Sequence, residues 1–545
     1  MKKLLCIFVS ALLAAGVFGV TASAANETVV EFMAFDTIEP GNYLSPAEGV
    51  TTAINEASYY DELFDTIYYS LANMESTIDF TKFNFPITEE YSKIIGKVYN
   101  YVTLLSPELF LGITLGDSFS GVLNSNNEPI IKSIDVSYDR TKTEYNEQYK
   151  EYKQELDSIV AAVPQGLTDL EKVLYTYNYL ALNFRYEQNY HNVPKENLIR
   201  DVYNFFTKGE GVCYAYSSAF IAIMNEIGIK ATYAIDDADE HAWNIVYLDG
   251  KPYHIDCTHA DPTSDGTVEE NSEDGVKQVT YCYDTVGLVS YDHFLKSDDT
   301  IKNACELHKE YTTYEEMLFG TDISCIDTEY DSGYVWLNGT VASPFTYCDG
   351  SWYYMDYYDD NPKDNVNGIT RLLKMDNTFK SSIETEAVID DIWYTDESHW
   401  YFWPGYFGSI FTFGNEVCYS TPKGFSLYNP QTSSITELSC EKYDLGSNSI
   451  YGCSYDGHGN IKVLCQSSPK DVPKNNITVK VSMGSNAAAL TATQKFIITG
   501  ECDKNWGYFD VSGDIGIDIR DLVALKKRAA SVSGGNSGEY FPGNW

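Results

Sequence analysis

Basic residues are scarce in this chain of 545 residues: 37 Lys and Arg stand against 79 Asp and Glu, a formal charge of −42. A surface of that sign repels phosphate backbones and anionic lipid, so neither nucleic acid nor a membrane surface is an expected partner. Long apolar runs are equally few. Beyond the first twenty residues no stretch is long and apolar enough to span a bilayer. The carboxylates, numerous as they are, form no pair that can be placed at a defined separation, which leaves a glycosidase reading weak. Material for cores is not lacking: 44% of residues are hydrophobic and 14% aromatic, with 45 Tyr. At roughly 100 to 200 residues per domain, the length predicts three or four units.

The N-terminus carries an address. Lys2 and Lys3 precede an apolar run from Leu4 to Val20, and Ala22-Ser23-Ala24 follows as a small-residue cleavage pattern. The run is short for a transmembrane helix. A signal peptide over residues 1–24 and a secreted, extracellular mature chain are therefore expected. Removing Cys6 with that leader leaves eleven of the twelve cysteines. An odd count permits one free thiol beside up to five disulfides, and equally permits small buried hydrophobes.

Helical periodicity marks Tyr59–Met74 and Glu89–Leu105. An extended stretch over Ile130–Tyr138 then precedes a charged helix over Thr143–Val163, which predicts an N-terminal α+β supporting domain over 25–165. Pro164-Gln165-Gly166 breaks the chain. Thr168 and Glu171 then pair as a capping box for a helix running to about Asn183. Residues 166–320 hold the chemically specific signals. From 321 to 500 short aromatic runs alternate with Asp-Gly and Asn-Pro turns: Ser351-Trp-Tyr-Tyr, Trp400-Tyr-Phe-Trp, Val417-Cys-Tyr-Ser, Gly424-Phe-Ser-Leu-Tyr. That texture predicts a β-rich domain, propeller-like with three or four blades. The Gly/Ser-rich tail, 531–545, reads as disordered.

Gly209-Glu-Gly-Val-Cys213 opens an apolar-periodic segment ending at Gly228. This reads as a buried helix with Cys213 in its first turn. A thiol there faces the positive end of the helix dipole, which favours thiolate. Downstream, His241–Leu248 and Lys251–Cys257 flank Asp249-Gly250, a strong two-residue turn signal. With that turn Leu248 pairs with Lys251, His241 lies opposite Thr258, and Trp243 lies opposite Asp256. His241 and Asp256 then project from one face as diagonal neighbours. A carboxylate that holds an imidazole in one tautomer is what a general base requires. A zinc site from His254, Cys257 and His259 is disfavoured, because on a strand His254 faces away from the other two.

Gly211-Val-Cys213-Tyr-Ala-Tyr-Ser, His241-Ala-Trp-Asn, and Tyr253-His-Ile-Asp256-Cys-Thr258-His-Ala-Asp261-Pro together resemble the motifs of the transglutaminase-like superfamily. The resemblance covers about Thr168 to Leu295. It implies a papain-related fold, Cys213 as nucleophile, His241 as base and Asp256 as orienter, with no cofactor for catalysis and a protein or peptide substrate. Hydrolysis of peptide or isopeptide bonds is favoured over cross-linking to an amine, with a non-catalytic glycan- or cell-wall-binding scaffold module as the alternative. His259 departs from the pattern, since related sequences usually carry Trp there.

Near the C-terminus, Asp510, Ser512, Asp514, Asp518 and Asp521 occupy positions 1, 3, 5, 9 and 12 of an acidic loop ahead of an apolar helix. The spacing fits an EF-hand-type calcium loop, with calcium in a structural role. The segment 503–530 resembles half of a type I dockerin, which implies docking to a cohesin beside enzymes that degrade plant polysaccharide. Ile515 stands where the loop glycine is expected, and only one repeat is present. The fold expected overall is multidomain α+β: a transglutaminase-like core, a β-rich domain and an EF-hand-like segment.

Overall fold

Two compact units account for the chain: Met1–Leu156 with Leu198–Thr258 and His293–Glu329, and Asp157–Asn197 with His259–Asp292 and Tyr330–Trp545. They interleave along the sequence rather than following one another as the domains read from it do. The computed structural model describes residues 20–22, 27–30 and 57–481, except 110–111, 237–240, 273–274, 321–322, 342, 359–368, 390–391, 397–400, 405–407, 458, 469–470 and 474. The Asp510–Asp521 loop, the dockerin-like segment, the tail and most of the leader lie outside these residues. Val20–Ala22, inside the expected leader, pairs antiparallel with Glu27–Val30. Among the described residues no helix is long and apolar enough to cross a membrane.

The first unit opens on the helices Ala57–Ala72 and Glu89–Leu105, close to their predicted limits. Thr88 caps the second of them by accepting the Tyr91 N–H, and Glu89 and Glu90 complement its N-terminal dipole. Both helices share a core of Leu63, Ile67, Val98 and Val102 with the apolar faces of the hairpin Ile113–Leu123 and Pro129–Tyr138. The charged helix follows at Lys142–Ala162.

The same unit holds a four-stranded sheet. Its order is Lys251–Ile255, His241–Leu248, Ala231–Asp236 and Thr312–Thr313, antiparallel throughout. Asp249 and Gly250 both take positive φ, 50° and 76°, as the predicted turn demands. Leu248 pairs with Lys251 and Val246 with Tyr253, the register expected from that turn. The strand stops at Ile255, however, and Cys257–Ala260 turns into a short helix, so the expected pairs Trp243–Asp256 and His241–Thr258 do not form.

In the second unit the helix Asp169–Asn183 begins with the full Thr168–Glu171 capping box. Asn178 on this helix donates to the Phe345 carbonyl at 2.9 Å and accepts from the Tyr291 hydroxyl at 2.5 Å. The aromatic runs form strands, including Ser351–Tyr358, Glu416–Ser420 and Phe425–Asn429. They are grouped in antiparallel sheets of four, two, four and three strands. Neighbouring strands follow in sequence within each sheet, which is the texture of blades. Each sheet is open, as a blade would be, and no closed barrel or propeller is shown among the described residues.

Candidate active site

Cys213 is the first residue of the helix Cys213–Ile227, with Val212 as its extended N-cap. Gly211 has to be glycine here. A Cβ on it would lie 2.7 Å from the Ala215 Cβ and 2.8 Å from the Phe205 ring, so the chain entering the helix passes too close to tolerate a side chain. The helix ends on Gly228 at φ 76°, the expected left-handed cap. Its polar residues tie it to the sheet. Ser217 donates to the Ala242 carbonyl at 3.1 Å, and Asn244 donates to the Ser217 and Thr232 carbonyls at 3.3 and 3.2 Å. The two bonds that end on Ser217 join the Cys213 and His241 motifs and set the thiol beside the strand that starts at His241.

The structure brings the three predicted residues into one hydrogen-bonded chain. His241 Nε2 lies 2.7 Å from Asp256 Oδ2, and the Cys213 thiol is hydrogen-bonded to the His241 ring. A carboxylate only accepts, so Nε2 carries the hydrogen and Nδ1 is the nitrogen left for Cys213. Cys213 is 6% exposed, His241 5% and Asp256 fully buried. Burial alone would push His241 toward the neutral form. The charge and hydrogen bond of Asp256, with help from Cys213, outweigh it and raise the imidazole to about 10. The site is therefore built to carry an imidazolium at neutral pH.

Other residues support this chain, and sequence reasoning missed two of them, His308 and Asp298. His308, in the turn Glu306–His308, places Nε2 2.8 Å from the same Asp256 Oδ2. Trp243 lies under His241 with ring centres 5.6 Å apart and planes at 20°. Its indole N–H donates to His254 Nδ1 at 3.0 Å, and His254 Nε2 meets Asp298 at 3.0 Å. Trp243 sits in the His241-Ala-Trp-Asn run, so its presence near the site was legible there. His308 stands alone in a charged turn with no pattern to single it out.

Among the described residues, ligand atoms of His254, Asp298 and Cys325 lie within 4.8 Å of one another, a candidate metal set inside this unit. Both nitrogens of His254 are already engaged, burial lowers the His254 pKa, and burial raises the Cys325 thiol well above its ordinary range. The set reads as a support beneath Trp243. It also uses up the histidine that a zinc site with Cys257 and His259 would need. The ten described cysteines are all free thiols, so the disulfides the count permitted are not formed among them.

Residues 157–257 match the transglutaminase-like superfamily. The solved structure described as "Crystal structure of a TGase" is 18% identical over 27% of this chain and 45% of its own length, with a TM-score of 0.19. No curated protein matches the chain.

Proposed function

We propose that this protein is a secreted thiol enzyme that opens peptide or isopeptide amide bonds through Cys213, His241 and Asp256. One observation carries the reading: thiol, imidazole and buried carboxylate are linked in series at the start of a helix. In the first half-reaction the Cys213 sulfur bonds to the amide carbonyl carbon. The C–N bond breaks, and His241 gives its proton to the departing amine. In the second, water bonds to the thioester carbonyl carbon while His241 takes its proton, the C–S bond breaks, and the Cys213 thiolate is released beside the imidazolium with the carboxylic acid as product. An amine in place of water would give a cross-link, and the family resemblance favours water.

The test is the pH dependence of Cys213 alkylation by iodoacetamide in the full chain, with the site mapped by mass spectrometry. Cys213 is expected to label at pH 6 at least tenfold faster than a free thiol, whose pKa is about 8.5. Cys257, Cys418 and Cys453, all pushed up by burial, are expected to stay unlabelled. Cys213→Ala should lose both the labelling and any amide cleavage. Labelling at the rate of a free thiol sinks the enzyme reading.

The second reading then becomes the better account, and a cleft in the second unit favours it. About 760 Å³ in volume, it is lined by Tyr175, Tyr179, Tyr347, Phe411 and Tyr455, with Asp349 and Asn415 among the polar groups. Aromatic faces beside amides and carboxylates suit a glycan, so the β-rich part is read as the binding element for cell-wall or plant polysaccharide.

For the C-terminal segment we infer a calcium loop held by Asp510, Ser512, Asp514, Asp518 and Asp521, serving as a docking half for a cohesin. Four Asp in one loop repel one another without a cation. Calcium added to the full chain should increase helical ellipticity, and Asp510→Ala should abolish the gain. An unchanged spectrum at millimolar calcium removes this part of the proposal.

A further inference from the structure

Asp256 holds two imidazoles, and the thiol path uses only one of them. Oδ2 faces Nε2 of both His241 and His308, at 2.7 and 2.8 Å, while Oδ1 accepts the Thr258 backbone N–H at 2.8 Å. Three donors therefore converge on one fully buried carboxylate. Since the carboxylate only accepts, His308, like His241, presents an N–H from Nε2.

The His308 ring is itself held tightly. It meets His241 edge-on at 5.2 Å and 89°, meets Trp243 edge-on at 4.6 Å and 75°, and lies against His293 at 4.9 Å. The segment that carries it grips the hairpin at a second point as well. Ser297 caps the short helix Asp298–Ala304, Asp298 reaches His254, and the Tyr311 hydroxyl donates back to Asp298. Residues 297–311 thus brace both His254 and Asp256 from one side. A carboxylate with a lone donor on Oδ2 can rotate about its Cβ–Cγ bond and still keep that bond by following the imidazole. With two donors fixed on different elements, rotation breaks at least one of them.

We propose that His308 is a positioning residue of the thiol site: its Nε2–H fixes Asp256 Oδ2 where His241 needs it. The kinetic part rests on the acyl-transfer reading above. The titratable groups facing His308 include His241 on the hairpin strand, Asp256 at the hairpin's end and His293 on the neighbouring loop, with His259 in the same cluster. His254 interacts with it electrostatically, and Cys257, next to Asp256, is held protonated by burial.

Two variants separate positioning from space filling. His308→Phe keeps a ring of similar size and loses the donor. His308→Gln loses the ring and keeps an N–H at about the reach of Nε2. The readout is the Cys213–iodoacetamide rate in the full chain between pH 5 and 9. His308→Phe is expected to lower the plateau by about 10–100-fold, the usual scale for outer hydrogen-bond partners. Its acid limb should move to higher pH, because a carboxylate with fewer donors protonates more readily. His308→Gln should recover most of the rate and return the limb. Wild-type behaviour of His308→Phe, or a His308→Gln as impaired as His308→Phe, overturns the proposal.

A second arm does not depend on thiol reactivity. Ring nitrogen NMR of the ¹⁵N-histidine-labelled chain should show hydrogen on Nε2 of both His241 and His308. A His308 carrying its hydrogen on Nδ1 alone cannot donate to Oδ2, and the proposal fails whatever Cys213 does. An inert Cys213 with both Nε2–H signals present counts against the acyl-transfer reading and leaves the positioning role standing.

Discussion

Asp256→Asn is expected to fold and to lose about 10³–10⁴-fold in Cys213-dependent amide cleavage, the scale seen when an orienting carboxylate becomes an amide. The reason lies in the donors. Asp256 Oδ2 receives His241 and His308, and Oδ1 receives the Thr258 N–H. An amide presents its own N–H₂ to one of these sides, so at least one donor meets a donor. If His241 turns its hydrogen to Nδ1 in response, the nitrogen facing Cys213 can no longer take a proton. Charge compounds the loss. Burial disfavours the imidazolium, and the carboxylate is what raises it to about 10. Without that charge His241 is neutral at pH 7, and the alkylation rate at pH 6 should fall to that of an ordinary thiol.

Stability should report the same coupling. An imidazole raised from about 6.5 unfolded to about 10 folded contributes stability that is fully present below pH 6.5 and lost as pH rises toward 10. Hydrogen exchange of the 241–255 peptides should therefore accelerate beyond its intrinsic pH dependence over that window in the wild type. Asp256→Asn should lack this component. An Asp256→Asn enzyme of wild-type rate, or one whose alkylation profile is unshifted, would remove Asp256 from the mechanism.

What could be read from the sequence divides along the range of the interactions. The turn Asp249-Gly250 fixes pairing between residues a few positions apart, so the register from Leu248–Lys251 to Asn244–Ile255 followed from local rules, whereas Asp256 meets His241 from just past the strand's end. The capping box at Thr168 and the glycine at 228 bound their helices for the same reason. His308 reaches Asp256 from 52 residues away, in a single turn with no periodicity, and only tertiary packing brings it there. The interleaving of the two units has the same origin, since contacts between distant segments leave no compositional edge. Cysteine counting left disulfides and buried thiols equally open, and packing decides for the latter: Cys418, Cys453 and Cys465 lie in one apolar cluster with Val463 and Phe425. Blade-like texture was legible strand by strand, but closure into a ring is a property of how sheets meet, which strand patterns do not encode.

Trp243→Ala is the substitution expected to cost the most stability. The side chain is fully buried among Ala234, Ile245, Ile323 and Cys325, and its removal leaves a large cavity in a small cluster. Losses for a buried Trp to Ala run about 3–5 kcal/mol. The indole N–H is also the donor to His254 Nδ1, so its loss leaves a buried acceptor unmatched, a further penalty of about 1–3 kcal/mol. Trp243→Phe separates the two effects. It keeps a six-membered ring under His241 and loses the N–H with the pyrrole carbons, so it should cost less than Trp243→Ala while still losing the donor. Hydrogen exchange on the 241–255 peptides measures both variants without requiring the whole chain to unfold as one unit. Function should follow the floor of the site rather than the hydrogen bond. With His241 no longer resting on an aromatic plane 5.6 Å away, Trp243→Ala should alkylate at Cys213 at least tenfold more slowly than Trp243→Phe. Equal rates in the two variants would mean that Asp256 and His308 hold the His241 ring unaided, and that Trp243 serves only the core.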